Sequence, residues 1–366
     1  MIVLNLKLNN IYGFSNFSID FSYPKKIVNS LIEDEYLEER PNFRYKKAVI
    51  LMGANATGKT SLGKALLNIV NFINSGDPAM LNALALSDSE ASFQIDFVND
   101  GFTLHRLSVR LEETETGNKA FVSYSYAEIL PKDSYEMCCE KLTPFEPKDE
   151  TQIYNKIGKI NYTFSCPDIK PTAKVSKIKK SVALKTLRAV IGTLDPTLTD
   201  VSISKDLRNS FIIRRNKEEI IIQDGKLLGR DSMSGGTAEG VDIAFFLALL
   251  MSERNGFYYC DEHFSYIQSD IEKRIFGLML EHLGRSGQLI FTTHNTDMLD
   301  LNLPKHCFAF LRKKEEDGYN VCVTYASDIL KRNTDSIRCA VENDVFSSLP
   351  DESLLDELEM RCDDEE

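Results

Sequence analysis

The chain has 366 residues, of which 43% are hydrophobic and 27% are charged, and its formal net charge is -12. This composition is typical of a soluble globular protein with a large core. No stretch approaches the roughly 18 uninterrupted apolar residues of a membrane helix, and residues 1–5 lack a signal-peptide pattern, so we expect a cytoplasmic protein without membrane contact. The eight cysteines include no CxxC pair, which argues against a disulfide framework or a zinc site.

The charge is unevenly distributed. Residues 351–366 hold nine acids and one arginine, a net charge of -8, which leaves -4 for the rest of the chain. Because leucines lie among these acids, the segment is either a short amphipathic docking helix or a disordered solubilising tail. A basic cluster precedes it, formed by Lys170, Lys174, Lys177, Lys179, Lys180, Lys185 and Arg188. A solvated loop and helix face is the favoured interpretation of this cluster, and a track for a phosphate backbone is the alternative.

The first third of the chain predicts strands around one helix. The predicted elements are antiparallel strands at 2–8 and 17–21, a buried strand at 48–52, a helix at 61–72 and a hairpin at 91–111. A polar insertion separates the second and third strands. Around residue 55 a strand is followed by a glycine-rich loop and then by a helix, an order that is typical of a phosphate-binding site.

The middle of the chain is harder to interpret. Residues 112–170 mix turns, prolines and short strand-like runs, and we predict an inserted lobe there. Downstream, the predicted elements are a helix at 177–194, strands between 201 and 223, a helix at 241–251 and buried strands at 257–261 and 288–293. No heptad pattern is sustained over several turns, so we expect no long coiled coil.

Residues 53–60 match the phosphate-binding pattern GxxxxGK[ST]. Glycines let the backbone curl until successive N–H groups point at one anion, and the following helix directs its positive end to the same place. Lys59 would reach the β- and γ-phosphates of ATP, and the Thr60 hydroxyl would bind Mg2+. The predicted ATP-binding residues of this loop are Gly53, Asn55, Thr57, Gly58, Lys59, Thr60 and Ser61. A glycine-rich turn without nucleotide is the alternative.

The apolar run 257–260 ends in Asp261 and Glu262, as expected of a buried parallel strand that delivers two carboxylates beside the phosphate loop. We predict that Asp261 and Thr60 hold Mg2+, and that Glu262 orients and deprotonates the attacking water. We place this strand next to the strand of the phosphate loop. Taken alone, a strand ending in a solvated turn explains the two acids equally well.

Two further motifs surround the acid pair. The Ser-Gly-Gly turn at 234–236 opens an apolar helix and presents a second set of outward-facing amides, although an ordinary capped helix start has the same pattern. His294 ends the next apolar run, which places it beside the γ-phosphate if the two strands are neighbours. A structural histidine is the alternative. The order and spacing of all these motifs favour the functional interpretation.

The ordered set of Walker A loop, Ser-Gly-Gly turn, Walker B acids and strand-borne histidine resembles the ATPase head of ABC, RecF and SMC proteins. Within that group, residues 8–14, 53–60 and 292–300 look like the AAA-type, OLD-like ATP-binding proteins of bacterial abortive-infection and anti-phage systems. The resemblance covers most of residues 1–110 and 180–345.

The resemblance implies an α/β P-loop fold of the ABC-head type, a mixed sheet with flanking helices, with an inserted α+β or helical lobe. We expect the two parts of the head at 1–111 and 201–345, the lobe at 112–200 and an acidic tail at 346–366.

The resemblance also implies a head-to-tail homodimer or a higher homo-oligomer. Ser234, Gly235 and Gly236 of one subunit would close over ATP held by Lys59 of the other. Hydrolysis, with Glu262 and His294 as its catalytic residues, would then release the pair, so that ATP controls assembly.

Three functions fit these predictions. The favoured one is an ATPase that senses or regulates a separate effector, a nuclease or a toxin, in anti-phage defence. Only about 70 residues follow His294, and they carry no acidic constellation for a two-metal nuclease within the chain. The alternative is a RecF-like DNA-repair clamp that binds nucleic acid through the 170–188 cluster. A scaffold that binds nucleotide without hydrolysing it is the third.

Overall fold

The computed structural model describes residues 1–27, 30–84, 90–99, 101–114, 117–167, 177–215, 218–229, 233–314, 320–332 and 334–349. The acidic segment 351–366 lies outside the described residues, as do Lys170 and Lys174 of the basic cluster. The seven cysteines within the described residues are free thiols.

The strands in chain order are β1 (Ile2–Asn9), β2 (Phe17–Asp20), β3 (Tyr36–Leu37), β4 (Arg40–Arg44), β5 (Ala48–Met52), β6 (Ala91–Val98), β7 (Thr103–Thr114), β8 (Gly117–Glu128), β9 (Thr143–Pro144), β10 (Tyr162–Ser165), β11 (Leu198–Ile203), β12 (Ser210–Arg215), β13 (Glu218–Gln223), β14 (Lys226–Leu227), β15 (Phe257–Asp261), β16 (Gln288–Thr292), β17 (Phe308–Lys314) and β18 (Asn320–Tyr325). The α-helices are α1 (Lys59–Ser75), α2 (Tyr135–Glu140), α3 (Thr151–Ile157), α4 (Lys180–Leu194), α5 (Gly235–Ser252), α6 (Ser269–His282), α7 (Ala326–Ile329) and α8 (Ile337–Glu342).

An antiparallel six-stranded sheet has the order β2-β1-β6-β7-β8-β9. Alternating residues of β1 and β6, such as Leu6, Leu8, Phe93 and Ile95, face a core shared with α1, because side chains on a strand alternate between its two faces. The predicted strand pair at the N-terminus and the predicted hairpin at 91–111 are both confirmed by their antiparallel registers.

A second six-stranded sheet has the order β10-β15-β16-β5-β17-β18 and is parallel except for the last strand. Every residue of β5, β15 and β16 is buried, which explains why these strands are continuous apolar runs rather than alternating ones. The carboxyl ends of its parallel strands lie at one edge, and the chain leaves that edge through the candidate phosphate loop and the candidate acid pair.

The range 112–200, expected to form one inserted lobe, is divided among the sheets. β8 pairs with β7 along its whole length in the first sheet, and β10 lies parallel to β15 at the edge of the second. The apolar residues of β10 and of α3 form part of the core that α1 shares with the first sheet. The strand-like run at 120–124 belongs to β8.

Helix α5 is apolar around most of its circumference and is buried along most of its length. Its length and hydropathy would suffice for a membrane span, yet 78% of that 18-residue window is buried within the protein. α4 and the antiparallel sheet β11-β12-β13-β14 pack against it, with the rings of Phe211 and Phe245 5.9 Å apart. The helix is therefore the centre of the second core.

Candidate functional site

The loop between β5 and α1 has the backbone shape that its glycines predict. Gly58 lies in the left-handed region with φ 99°, and a Cβ at this position would lie 2.8 Å from the ring of Phe14. Only glycine meets both conditions, because other residues are strained at this φ and have no space for a side chain. Ala56 also has a positive φ of 60°, so the loop is tightly curled between Gly53 and Lys59.

The N-terminus of α1 has no partner of its own for its first N–H groups. Its N-cap residue, Gly58, offers no side-chain hydrogen bond, and the first turn contains no acid. The initial N–H groups of a helix need an acceptor, and an anion is the acceptor that the helix dipole favours. The local structure therefore fits a phosphate group.

Lys59 lies inside this loop with only 4% of its surface exposed. Its Nζ donates to the carbonyl oxygens of Gly53 at 2.8 Å and Ala54 at 3.1 Å, and lies 3.3 Å from Oε1 of Glu262. Burial lowers the pKa of the Lys59 ammonium, and the carboxylate of Glu262 opposes that shift. The loop thus presents one cation at the place where α1 directs its positive end.

Thr60 and Asp261 meet where a magnesium ion is expected. The Thr60 hydroxyl donates to Oδ2 of Asp261 at 2.7 Å, and the hydroxyl of Thr292 donates to Oδ1 at 2.7 Å. Burial raises the pKa of Asp261, and the two hydroxyl hydrogen bonds act in the opposite direction. A hydroxyl and a carboxylate next to a phosphate loop are oxygen ligands of the kind that Mg2+ prefers, so these residues fit the ion.

Glu262 is held in an unusual backbone conformation directly after β15. Its φ is 49°, which is uncommon for a residue other than glycine. Its N–H donates to the Thr292 hydroxyl at 3.1 Å, and its Oε1 lies 2.9 Å from Nε2 of His294. The hydrogen bond from His294 lowers the pKa of Glu262, burial opposes this, and Lys59 adds to the lowering. Glu262 is therefore an ionised carboxylate between two cationic or proton-donating groups.

The acid pair is not on the strand next to the phosphate loop, and this part of the prediction was wrong. β16 lies between β5 and β15, so Asp261 comes from the second strand along. The site still closes because α1 packs across the sheet onto β10 and β15. A Cβ at Gly63 of α1 would lie 2.3 Å from the ring of Phe164 and 2.9 Å from that of Tyr259, and Tyr259 donates to the carbonyl oxygen of Lys59.

His294 follows β16, which is a neighbour of both β5 and β15, as the prediction for this residue required. Its side chain is 45% exposed and reaches Glu262. The loop that carries it is fixed by a residue that the sequence did not indicate. The carboxylate of Glu272 on α6, 1% exposed, accepts from the Thr293 hydroxyl at 2.7 Å and from the Asn295 amide at 2.6 Å. Glu272 thus holds the residues on both sides of His294.

The sequence signal for Glu272 is weak. It is one acid in the first turn of a helix, where Asp and Glu are common on surfaces. Only its burial distinguishes it from its neighbour Asp270, and burial at this position depends on the packing of α6 against the loop after β16. Gly63 and Thr292 were missed for the same reason, since each is defined by what packs against it.

The Ser-Gly-Gly turn begins α5, as predicted, but both hydrogen bonds of its serine within the described residues are local. Ser234 Oγ accepts from the Thr237 N–H at 3.3 Å and lies 2.7 Å from the Thr237 hydroxyl. The backbone carbonyl of Tyr266 lies against Gly236, and the Tyr266 ring, in a side chain 75% exposed, lies beside Gly235. The turn is thus capped by its own residues and borders an exposed aromatic ring.

A second group of potential metal ligands lies away from this site. Glu35, His306 and Cys307 are buried and place their ligand atoms within 4.8 Å of one another. The carboxylate of Glu35 is already hydrogen-bonded to His306 at 2.6 Å and to the Ser30 hydroxyl at 2.5 Å. These bonds satisfy the buried carboxylate without an ion, so we assign no metal to this group.

Comparison with known proteins places the fold. No protein-family model matches the chain, and no curated protein matches it. The solved structure of an Smc head bound to the C-terminal winged-helix domain of ScpA is similar, with 14% identity, a TM-score of 0.52 and coverage of 89% of this chain and 98% of that one. An Smc head with an extended coiled coil from Pyrococcus furiosus, bound to the C-terminal domain of ScpA, has 13% identity, a TM-score of 0.50 and coverage of 90% and 98%.

A structure of the recombination mediator RecF with an ATP analogue has 10% identity and a TM-score of 0.42, covering 88% of this chain and 97% of that one. The RecF likeness is too distant to support an argument. The two Smc heads show that the chain has the SMC-head fold, which agrees with the α/β fold class expected from the motifs.

Proposed function

We propose that the chain binds ATP with Mg2+ and hydrolyses it. One observation carries the proposal: Lys59 and Thr60, which lie more than 200 residues before Asp261, Glu262 and His294, come together with them at the carboxyl edge of the parallel sheet. A buried cation, an open helix N-terminus, a hydroxyl–carboxylate pair and an ionised glutamate are the groups that phosphoryl transfer to water needs.

Each residue has a role that follows from its position. The N–H groups at the start of α1 and the Lys59 ammonium would bind phosphate oxygens, and Thr60 with Asp261 would hold Mg2+, which would supply positive charge to the phosphoryl transfer. Glu262 would accept a proton from the attacking water at its carboxylate. His294, hydrogen-bonded to Glu262, orients that carboxylate.

ATP joins two copies of the chain in this proposal, with Ser234, Gly235 and Gly236 of one copy closing over the nucleotide of the other. Its support is that Ser234 has no partner in the phosphate loop of its own chain among the described residues. The test is the molecular mass of Glu262→Gln with ATP, measured by light scattering. We expect a dimer with ATP and a monomer in the double variant Lys59→Ala/Glu262→Gln, whereas a monomer in both would refute the dimer.

Measurement of phosphate release distinguishes an ATPase from a scaffold that only binds nucleotide. Phosphate release by the wild-type chain should exceed that of Glu262→Gln, because only an enzyme depends on the glutamate. Background release by both proteins, together with intact ATP binding, would select the scaffold.

We propose that this ATPase regulates a separate effector in anti-phage defence. Two points support the proposal: the resemblance of residues 8–14, 53–60 and 292–300 to the OLD-like ATPases, and the fact that Smc heads of this fold were solved with a domain of a separate protein, ScpA. Phage plating on cells that carry the chain with its neighbouring genes tests it. Protection lost in Glu262→Gln agrees with the proposal, and no protection with the intact locus contradicts it.

A RecF-like clamp on DNA is the second candidate. The observation that favours it is the exposure of Lys179, Lys180 and Lys185 on and before α4, although Lys177 and Arg188 are ion-paired with Glu253 and Asp200. Salt-dependent DNA binding that is lost on neutralising the three exposed lysines would select this function.

A further inference from the structure

An apolar groove of about 570 Å3 lies on the surface formed by α4, α5 and α6. Its apolar lining includes Val190 of α4, Leu247 and Met251 of α5, and Ile271 and Leu278 of α6. The core around α5 is thus open to solvent at this groove. Exposed apolar grooves of this kind bind an amphipathic helix through its apolar face.

The rim of the groove is positively charged. Lys185 and Arg274 lie along it, and neither has an ion-pair partner in the part of the chain that the structure describes. The single acid of the rim, Asp270, is paired with Lys273 at 2.9 Å. An occupant with apolar residues on one face and acids on the other complements both the lining and the rim.

We propose that residues 351–366 of the same chain occupy this groove as a short amphipathic helix. The segment carries nine acids, and its leucines at 354, 355 and 358 fall on one face of a helix because residues three and four apart are neighbours there. Among the segments outside the described residues, only this one combines several leucines with an excess of acids. The segment 168–176, which precedes α4, is basic and would be repelled by the rim.

The connectivity places the segment close to α6. Arg338 of α8 pairs with Asp297 at 2.9 Å, and the 3-10 helix Thr296–Asp300, which contains Asp297, packs against α6. The described chain ends at Leu349, soon after α8, and residues 350–353 can span up to about 14 Å. An occupant of the groove would therefore contact α6, the helix whose Glu272 holds the His294 loop.

Cross-linking through the natural Cys362, which follows Leu358 by about one helical turn, tests the docking. Ala189 is an exposed small residue at the groove, so Ala189→Cys introduces a second thiol with little disturbance. Ala79, exposed in the short 3-10 helix Pro78–Leu81 that follows α1 and not part of the groove, provides the matched control Ala79→Cys. All proteins carry Cys339→Ser to remove the exposed thiol of α8. A short bis-maleimide is applied to the full chain without nucleotide, and peptide mapping identifies the linked cysteines.

We expect an intramolecular link between Cys362 and Ala189→Cys at least fivefold more abundant than the link to Ala79→Cys. Adding Leu354→Ser and Leu358→Ser should reduce it to the control level, because the apolar face is lost. A link no more abundant than the control, a link only between two chains, or one that survives the serine substitutions would overturn the proposal.

Hydrogen exchange in the chain with natural cysteines gives a second readout. The serine substitutions should increase amide exchange at 185–193 and 271–282, and unchanged exchange there would also overturn the proposal. Neither measurement depends on ATP binding.

Discussion

Two helix N-termini in this protein have similar sequence signals and different structures. α1 begins after a glycine loop with no side-chain cap and no acid in its first turn, whereas α5 begins with Ser234, whose hydroxyl accepts from the Thr237 N–H. The N-terminus of α1 can therefore bind an anion without a second copy of the chain. The N-terminus of α5 is satisfied by its own serine, so a phosphate there must compete with an existing cap.

The difference assigns the two motifs different tasks. The end of α1 contains the buried Lys59 and lies next to the Thr60–Asp261 pair, so it suits binding of a nucleotide by a single chain. The end of α5 borders the exposed ring of Tyr266 and no residue of the phosphate loop is hydrogen-bonded to its serine among the residues described. It suits a contact that forms only when a second copy brings a nucleotide to it. Separate variants of the two ends, and of residues between them, test this assignment.

The largest expected effect is on catalysis. Glu262→Gln should lower the rate of ATP hydrolysis by about 10² to 10⁴ while leaving ATP affinity within about threefold, because the general base acts in the chemical step rather than in binding. Steady-state phosphate release and equilibrium binding measure the two quantities. Hydrolysis at the wild-type rate would show that Glu262 is not the general base, and would contradict the assignment of catalysis to the site at the start of α1.

The next effect concerns the α5 end. Ser234→Ala should weaken ATP-dependent dimerisation about tenfold or more, since a hydrogen bond to a charged group contributes about 1.5–3 kcal/mol, and should leave ATP binding by the monomer unchanged. The loss of the cap should also reduce stability by about 1 kcal/mol. Sedimentation with and without ATP measures the dimer.

Ser336→Ala is the control for this prediction, because Ser336 caps α8 through the Cys339 N–H in the same manner and is not one of the residues proposed to contact ATP. Its stability loss should be similar and its dimerisation normal. If both variants dimerise equally well, the contrast between the two helix ends has no functional meaning.

A smaller effect is expected from Glu272, which fixes the loop between the two ends. Glu272→Ala should lower kcat about tenfold with little change in KM, and Glu272→Gln should lower it less, because one amide oxygen can still accept one of the two hydrogen bonds. Glu281→Gln, an exposed position on the same helix, is the control. Equal kcat values in all four proteins would show that the loop needs no support from α6.

The smallest effect on ATP hydrolysis is expected in the first sheet, where a buried histidine should affect stability instead. Burial lowers the pKa of His105 to about 4, and Lys156 adds to this. In the unfolded chain the imidazole of His105 takes up a proton near pH 6.5, whereas in the folded chain it does so only near pH 4. The free energy of unfolding should therefore fall by about 1.4 kcal/mol for each pH unit as the pH is lowered from 6.5 to 4. His105→Gln should flatten this slope in denaturant titrations, with ATP hydrolysis at pH 7.5 unchanged. An identical slope in the variant would contradict the assignment.

The sequence predicted the parts of the fold whose signals are local. The phosphate loop, the apolar strands β5, β15 and β16 and the hairpin of β6 and β7 are each encoded within about 20 residues. Strand order could not be read, because the insertion of β16 between β5 and β15 depends on contacts far apart in the chain. The roles of Gly63 and Glu272 depend on packing and were equally invisible, and so was the fact that Ser234 caps its own helix.

Binding of a nucleotide at the open end of α1 is tested most directly by calorimetric titration with ATP and Mg2+. We expect a saturable heat with one site per chain for the wild type, and affinity at least about 100-fold weaker for Lys59→Ala, which loses a charge-assisted contact of about 3 kcal/mol. No heat of binding in the wild type, or equal affinity in the folded variant, would contradict it.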